Sequence, residues 1–334
     1  MSGAVEIPAG ARNNVVQVFR AIAVIAVVMI HTTPIGVCEV YCRPLINFAV
    51  ATFLFLSGYL TKVENENWMS FFKKRILRVL VPYLIWSIIY TLVNEPNQGL
   101  SVLGNNLLLG DAAIHLYYIL VYVQFVLLTP LMGRLAQSRY HWLGWLIAPV
   151  TCLFFRYSWL LPGYHPGVMV ARISLLWENS FVAWFTFYYL GLLLGNRIME
   201  KRYSLKGLTL LYVLSLVLQM AESYGWQQAG IMNFATQLKL TSLLSSSLFL
   251  LIVYTVLQGK AHAVNCRLMV MLGDYSFGIY LSHILIMKLL EQVPYYSAVP
   301  YPVTSAIVVV ISFMGCYLGY RLCGPRLGKH LGLR

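Results

Sequence analysis

Arg20 and His31, eleven residues apart in the apolar run FRAIAVIAVVMIH, are a pair of residue types that can do chemistry. At 100° per residue they fall on one helical face, about 16 Å apart along the axis. A histidine titrates close to neutral pH and, while neutral, can take a proton from a hydroxyl. Arg20 as a snorkelling flank residue and His31 as an interfacial cap is the plainer alternative. With nothing else polar between them, a shared internal path is the reading preferred here. A second pair, Arg75 and Arg78 in FFKKRILRVLVPYLIW, is three residues apart and shares a helical face, with Lys73 and Lys74 just before it. Two guanidiniums so placed suit phosphate, although the same spacing serves as a positive flank that ends a span. Pro82 follows within the first turns expected for that helix, where it would bend the helix and open a gap.

In LGDYSFGIYLSHI, Ser276 and His283 share a face with Ile279 and Tyr280 between them, and Asp274 suits a helix start. His283 falls well inside the run, so it is either a hydrogen-bonded packing histidine or a functional one. Glu178 and Arg156 sit near span ends, where they pair with each other or meet a polar substrate. His115–Tyr118 (HLYY) and Gln124 read as helix–helix hydrogen-bonding groups, and Gly191 and Gly195 as a packing pair. The six cysteines fit no metal pattern and no metal is expected. Cys38 and Cys42, in a first outer loop, are either a disulfide or two thiols. A Walker loop, HExxH and GxSxG are all lacking, which removes support for ATP-driven transport, zincin proteolysis and serine-hydrolase chemistry.

The elements that must position these residues follow from composition. Of 334 residues, 59% are hydrophobic and only 10% charged, against roughly 25% charged in a soluble domain. A disordered chain, a disulfide scaffold and an ordinary cytosolic enzyme are thereby disfavoured. The expectation is an all-α polytopic membrane protein, a single domain over 1–334. A hydrocarbon core about 30 Å thick needs about 20 apolar residues per helix. Ten such runs lie near 15–34, 45–62, 77–94, 115–132, 141–160, 181–197, 206–222, 241–258, 271–290 and 302–322. The segments on one side of these spans carry 19 of the 24 basic residues. Basic loops stay cytoplasmic, so both termini are expected inside. The net charge of +13 is then a topology signal, and nucleic acid is not an expected partner. The first span reads as a membrane helix and not as a cleaved signal peptide. The outer loop 161–180, rich in Pro and Gly, is expected to cover or line an outer cavity.

Taken together, several segments resemble the membrane acyltransferase 3 family, which includes bacterial surface-polysaccharide O-acetyltransferases. Arg20 and His31 match its opening arginine and histidine. FLFLSGYL, Phe53 to Leu60, is similar to its FxxSGY-type segment. Arg75 and Arg78 match its RxxR motif, and Tyr275 to His283 its YSFxIYLxH-like segment. In order and spacing the resemblance runs over essentially the whole chain, and in length the chain is similar to short members such as the enterobacterial-common-antigen type. It implies a bacterial cytoplasmic-membrane enzyme that passes an acyl group, acetyl being the first expectation, from cytoplasmic acyl-CoA to a hydroxyl of a cell-surface or lipid-linked glycan. On that implication Arg75 and Arg78 hold the CoA phosphates, and Arg20 stabilises the donor or the channel. His31 is the base, His283 orients the donor or relays a proton, and Glu178 meets the acceptor. The alternatives are an O-succinyltransferase of the same family, or a flippase or exporter of the glycan, although no symmetry relates residues 1–160 to 161–334 as many transporters require.

Overall fold

The computed structural model describes residues 13–64, 67–96, 99–160, 173–174, 176–199, 203–259 and 266–334. These residues are helical with no strand. The first helix, α1 (Asn14–Thr32), starts where the Asn13 side chain accepts hydrogen bonds from the Val15 and Val16 amides. That cap satisfies two of the amide groups every helix start leaves open. After α1 come α2 (Val37–Ile46), α3 (Phe48–Tyr59), α4 (Trp68–Asn94), α5 (Leu100–Leu109), α6 (Tyr117–Gln137) and α7 (Gly144–Tyr157). The chain continues through α8 (Phe181–Gly195), α9 (Leu205–Gln228), α10 (Leu240–Gln258), α11 (Arg267–Asp274), α12 (Ser276–Leu290) and α13 (Val303–His330).

Every one of the ten expected spans coincides with a helix. Among the described residues, seven stretches are long and apolar enough to cross a membrane, counting α2 and α3 as one, and eight if the broken pair α11–α12 counts. The two expected spans that fall short are α7 and α8, of 14 and 15 residues, roughly 21–23 Å at 1.5 Å per residue. In α8 every residue from Ala183 to Leu194 is buried. A helix apolar all round belongs in the protein interior, where it need not match the bilayer's thickness. By contrast α9 exposes Leu210, Leu211, Val213, Leu214, Val217 and Leu218, an apolar face that suits lipid and not water. The protein is a multi-pass membrane protein.

Several local expectations need correction. Helix α4 begins at Trp68, so Pro82 lies in mid-helix and the helix continues through it; its missing N–H withdraws the partner of the Arg78 carbonyl. The first outer loop is largely helical, with Cys38 and Cys42 one turn apart on α2, their Sγ atoms 3.4 Å apart as free thiols. A further helix, α5, occupies the connection after α4. The ninth span is broken at Tyr275 and bent by 73°, so Asp274 ends α11 and Tyr275 alone separates it from α12. Most of the 161–180 loop, residues 161–172, lies outside the described residues.

The bundle has two apolar cores. One gathers α3, α6, α8 and α10; the other gathers α1, α4, α12 and α13. Helices α3 and α8 cross with almost no side chain between them. A methyl group at Gly191 would stand 2.2 Å from the Phe55 carbonyl oxygen, and one at Gly195 2.1 Å from that of Tyr59. The Gly191/Gly195 pair therefore packs, as its spacing suggests. Helix α1 packs against α3, α11, α12 and α13, which leaves it in the interior with Arg20 toward one end and His31 at the other.

Candidate active site

Two cavities reach into the bundle from the two ends of α1. The larger, about 1070 Å³, is lined by Arg20; the smaller, about 440 Å³, is lined by His31. Both volumes are of the order of small-molecule sites. Tyr118 of α6 and Tyr280 of α12 line both, their rings edge-on with centroids 5.6 Å apart. Among the described residues these are the two that line both chambers, so the chambers adjoin at them.

The larger chamber is strongly cationic. Arg20, Lys73, Lys74, Arg75 and Arg78 line it together with Lys329 and Arg334, against the acidic side chain of Asp274. Arg75 is held in place from its surroundings. Its guanidinium donates to Ser57 Oγ (3.3 Å) and the Leu60 carbonyl (3.5 Å), and lies 5.0 Å over the Phe71 ring. The FLFLSGYL segment thus has a role in each half: Ser57 orients Arg75, while Gly58 lets α3 meet α8, where a methyl would lie 2.2 Å from the Tyr188 carbonyl. Arg78, one turn further along α4, lines the same chamber. The structure brings Arg20 of α1 to the same chamber as Arg75 and Arg78 of α4, more than fifty residues on in the sequence.

The smaller chamber holds a cluster of three histidines at its inner wall. The ring of His31 is 5.2 Å from His283 and 6.5 Å from His115, and those two are 4.8 Å apart. His31 and His115 line the cavity; His283 stands behind them, wholly buried. His283 Nδ1 lies 2.7 Å from the Tyr280 carbonyl oxygen. That oxygen can only accept, so Nδ1 carries the proton and Nε2 keeps its lone pair. Nε2 is buried with no hydrogen-bond partner. The surrounding tyrosines fix the histidines: Tyr280 donates through its hydroxyl to the His115 carbonyl. The Tyr90 hydroxyl sits within the α12 ladder, donating to Leu281 O (2.8 Å) and accepting from Leu285 N (3.0 Å). Among the described residues no group of three or more His, Cys, Asp or Glu side chains is arranged to hold a metal.

The outer wall of this chamber carries paired charges. Arg156 and Glu178, left open between pairing and substrate contact, do pair, at 2.7 Å, and also line the cavity. Burial pushes the Glu178 carboxyl above the usual carboxylate range, and the neighbouring Arg156 only partly offsets this. Arg43 of α2 donates to the carbonyl of Ile30, the residue before His31, at 3.1 Å and lies 3.9 Å from Glu39. The 233–238 segment lines the cavity too. It is anchored by Lys239, whose Nζ donates to the Phe234 carbonyl (2.9 Å) and Ser223 Oγ (2.7 Å) beside Glu222 (3.6 Å).

The structure places the residues singled out in the sequence as follows: Arg20, Arg75 and Arg78 on the wall of the cationic chamber, His31 and Glu178 on that of the smaller one, and His283 beside His31. Sequence reasoning did not single out His115, Tyr118, Tyr280 or Arg43 as site residues. HLYY was read as helix–helix hydrogen bonding, which describes the His115 carbonyl and not its ring. Gln124 does act in that way, bridging Asn179 O and Phe181 N at the start of α8.

Comparison with known proteins gives one match. A family model, the acyltransferase domain, covers residues 13–321, nearly the whole chain. No curated protein and no solved structure matches.

Proposed function

The chain belongs to the acyltransferase 3 family, and on that premise we propose that it transfers an acyl group, acetyl as the first expectation, from cytoplasmic acyl-CoA to a hydroxyl of a surface or lipid-linked glycan. The observation that carries this reading is the pair of chambers that meet at Tyr118 and Tyr280, one cationic and one containing His31. With the basic end cytoplasmic, as the distribution of lysine and arginine favours, the enzyme sits in a bacterial cytoplasmic membrane and the His31 chamber opens outward.

In this scheme the cationic chamber binds the donor by its phosphates, for which arginine pairs have the geometry. The flexible arm carries the thioester toward Tyr118 and Tyr280, past Arg20. The acceptor hydroxyl enters from the other side, among Glu178, Arg156 and Arg43. The neutral imidazole of His31 takes the hydroxyl proton as the oxygen bonds to the thioester carbon. The carbon–sulfur bond breaks, the CoA thiolate leaves into the cationic chamber, and the hydroxyl proton held by His31 passes to its sulfur, giving free CoA. His283 supports the imidazolium that forms between those events, because its Nε2 lone pair is unpartnered and its ring lies 5.2 Å from that of His31.

The test is transfer of labelled acetyl from acetyl-CoA in membranes carrying the protein or its His31→Ala form. The expected outcome is an alkali-labile label in the glycan, reduced at least 100-fold in the variant, the lower end of what a general base contributes. Undiminished transfer by His31→Ala would remove the mechanism. Label from succinyl-CoA alone would move the donor to O-succinyl transfer. No label from either, with surface glycan lost on deletion, would make the exporter the better reading.

A further inference from the structure

The last stretch of α13 lies beyond the residues that the family match covers. Helix α13 is interrupted at Gly324, whose φ of 75° and ψ of 172° are open essentially to glycine alone. Pro325 follows, a residue that starts a helix well and cannot continue one. The chain reverses there, and the short helical piece after it runs back along the bundle to Arg334.

This re-entrant segment is built into the protein at several points. The Trp86 indole N–H donates to the Leu331 carbonyl at 3.0 Å. Leu333 is 8% exposed and sits against Gly278 of α12 and Gly319 of α13. The Leu333 amide closes the helical turn on the Gly328 carbonyl at 2.9 Å. Docked this way, against Pro82 and Trp86 of α4, the segment places Lys329 and Arg334 on the wall of the cationic chamber. Arg334 lies 3.4 Å from Asp274 and about 5.5 Å over the Tyr275 and Tyr320 rings. Asp274 is the one acidic side chain among the described residues that line that chamber.

We propose that Gly324–Arg334 is the second wall of the donor site, where Lys329 meets the phosphates of a nucleotide donor of the acyl-CoA class and Arg334 masks Asp274 so that the polyanion is not repelled. The proposal rests on the acyl-CoA reading of that chamber. It adds a binding element that Arg75 and Arg78 alone do not supply: a polyphosphate donor is gripped from two walls. Arg334 acts through Asp274 and is a positioning residue for charge, while Lys329 is a contact residue.

The experiment is titration of the purified full chain with acetyl-CoA at low and high salt, with transfer kinetics alongside. Lys329→Ala and Arg334→Ala should each raise Kd and donor KM roughly three- to tenfold at low salt, an effect that shrinks as salt screens the charges. The kcat at saturating donor should stay within about twofold. Asp274→Asn placed on Arg334→Ala should restore affinity, a rescue that a purely structural role for Arg334 would not give. Unchanged donor affinity in Lys329→Ala, or no rescue by Asp274→Asn, overturns the two-wall site while leaving the acyl-CoA reading standing. If folded wild-type protein binds neither acetyl-CoA nor CoA, the reading of the chamber itself fails and this inference with it.

Discussion

At the scale of residues, the two arginines of the RILR segment are unequal. Arg75 is held by Ser57, Leu60 and Phe71, so its guanidinium is oriented before any ligand arrives and little side-chain freedom is lost on binding. Removing both, as Arg75→Ala/Arg78→Ala, should weaken acetyl-CoA binding about 10- to 100-fold at low salt, by the loss of charge-assisted hydrogen bonds. The wild-type affinity should fall steeply with ionic strength and the variant's less so, because the charges that salt screens are gone. Equal salt slopes would mean that the phosphates bind elsewhere. The spacing of Arg75 and Arg78 was plain in the sequence. That Ser57 orients one of them was not, since α3 and α4 are joined by a turn whose path the sequence does not specify.

At the scale of elements, the contact between α3 and α8 sets the frame on which Arg75 stands. It is made by backbone against backbone at Gly58, Gly191 and Gly195, so a methyl there has no flexible neighbour to displace. Gly191→Ala should cost about 1–3 kcal/mol, the usual price of overpacking a filled core, and lower the thermal transition measured in detergent. The same substitution at Gly104 or Gly225, where nothing lies within 4 Å, should cost no stability. A Gly191→Ala protein as stable as wild type would show that the two helices can separate freely. The break at Tyr275 is the other decisive element. It turns α11 away from α12 by 73°, which leaves Asp274 on the cationic chamber while Tyr280 and His283 continue inward.

At the scale of the whole molecule, the two chambers share Tyr118 and Tyr280 in their walls. On the proposed function these two rings must part when the thioester reaches His31, and stay closed otherwise to keep water from the donor. Tyr118→Ala should therefore raise acetyl-CoA hydrolysis in the absence of acceptor while lowering transfer to the glycan, read as CoA release against ester formed. Tyr118 is chosen because Tyr280 also carries the hydrogen bond to His115. Hydrolysis at the wild-type rate with transfer retained would mean that Tyr118 is a bystander in the wall.

Some of this was determined by the sequence alone. Ten apolar runs and a scarcity of charge specify a helical membrane protein, because a bilayer admits few ways to satisfy backbone polar groups. Arg20 and His31 share a face of α1 because helical periodicity is local. The tertiary structure decided what lies across from that face. His115 joins His31 and His283 only because α1, the turn before α6, and α12 converge, and no spacing within one segment encodes that meeting. Tyr118 and Tyr280, each an ordinary aromatic in its own helix, come to line both chambers by facing one another. The re-entrant Lys329 and Arg334 read as a basic flank in sequence. They join the wall of the cationic chamber because one glycine at φ 75° turns the chain back, and because Trp86 and the Leu333 pocket hold it there.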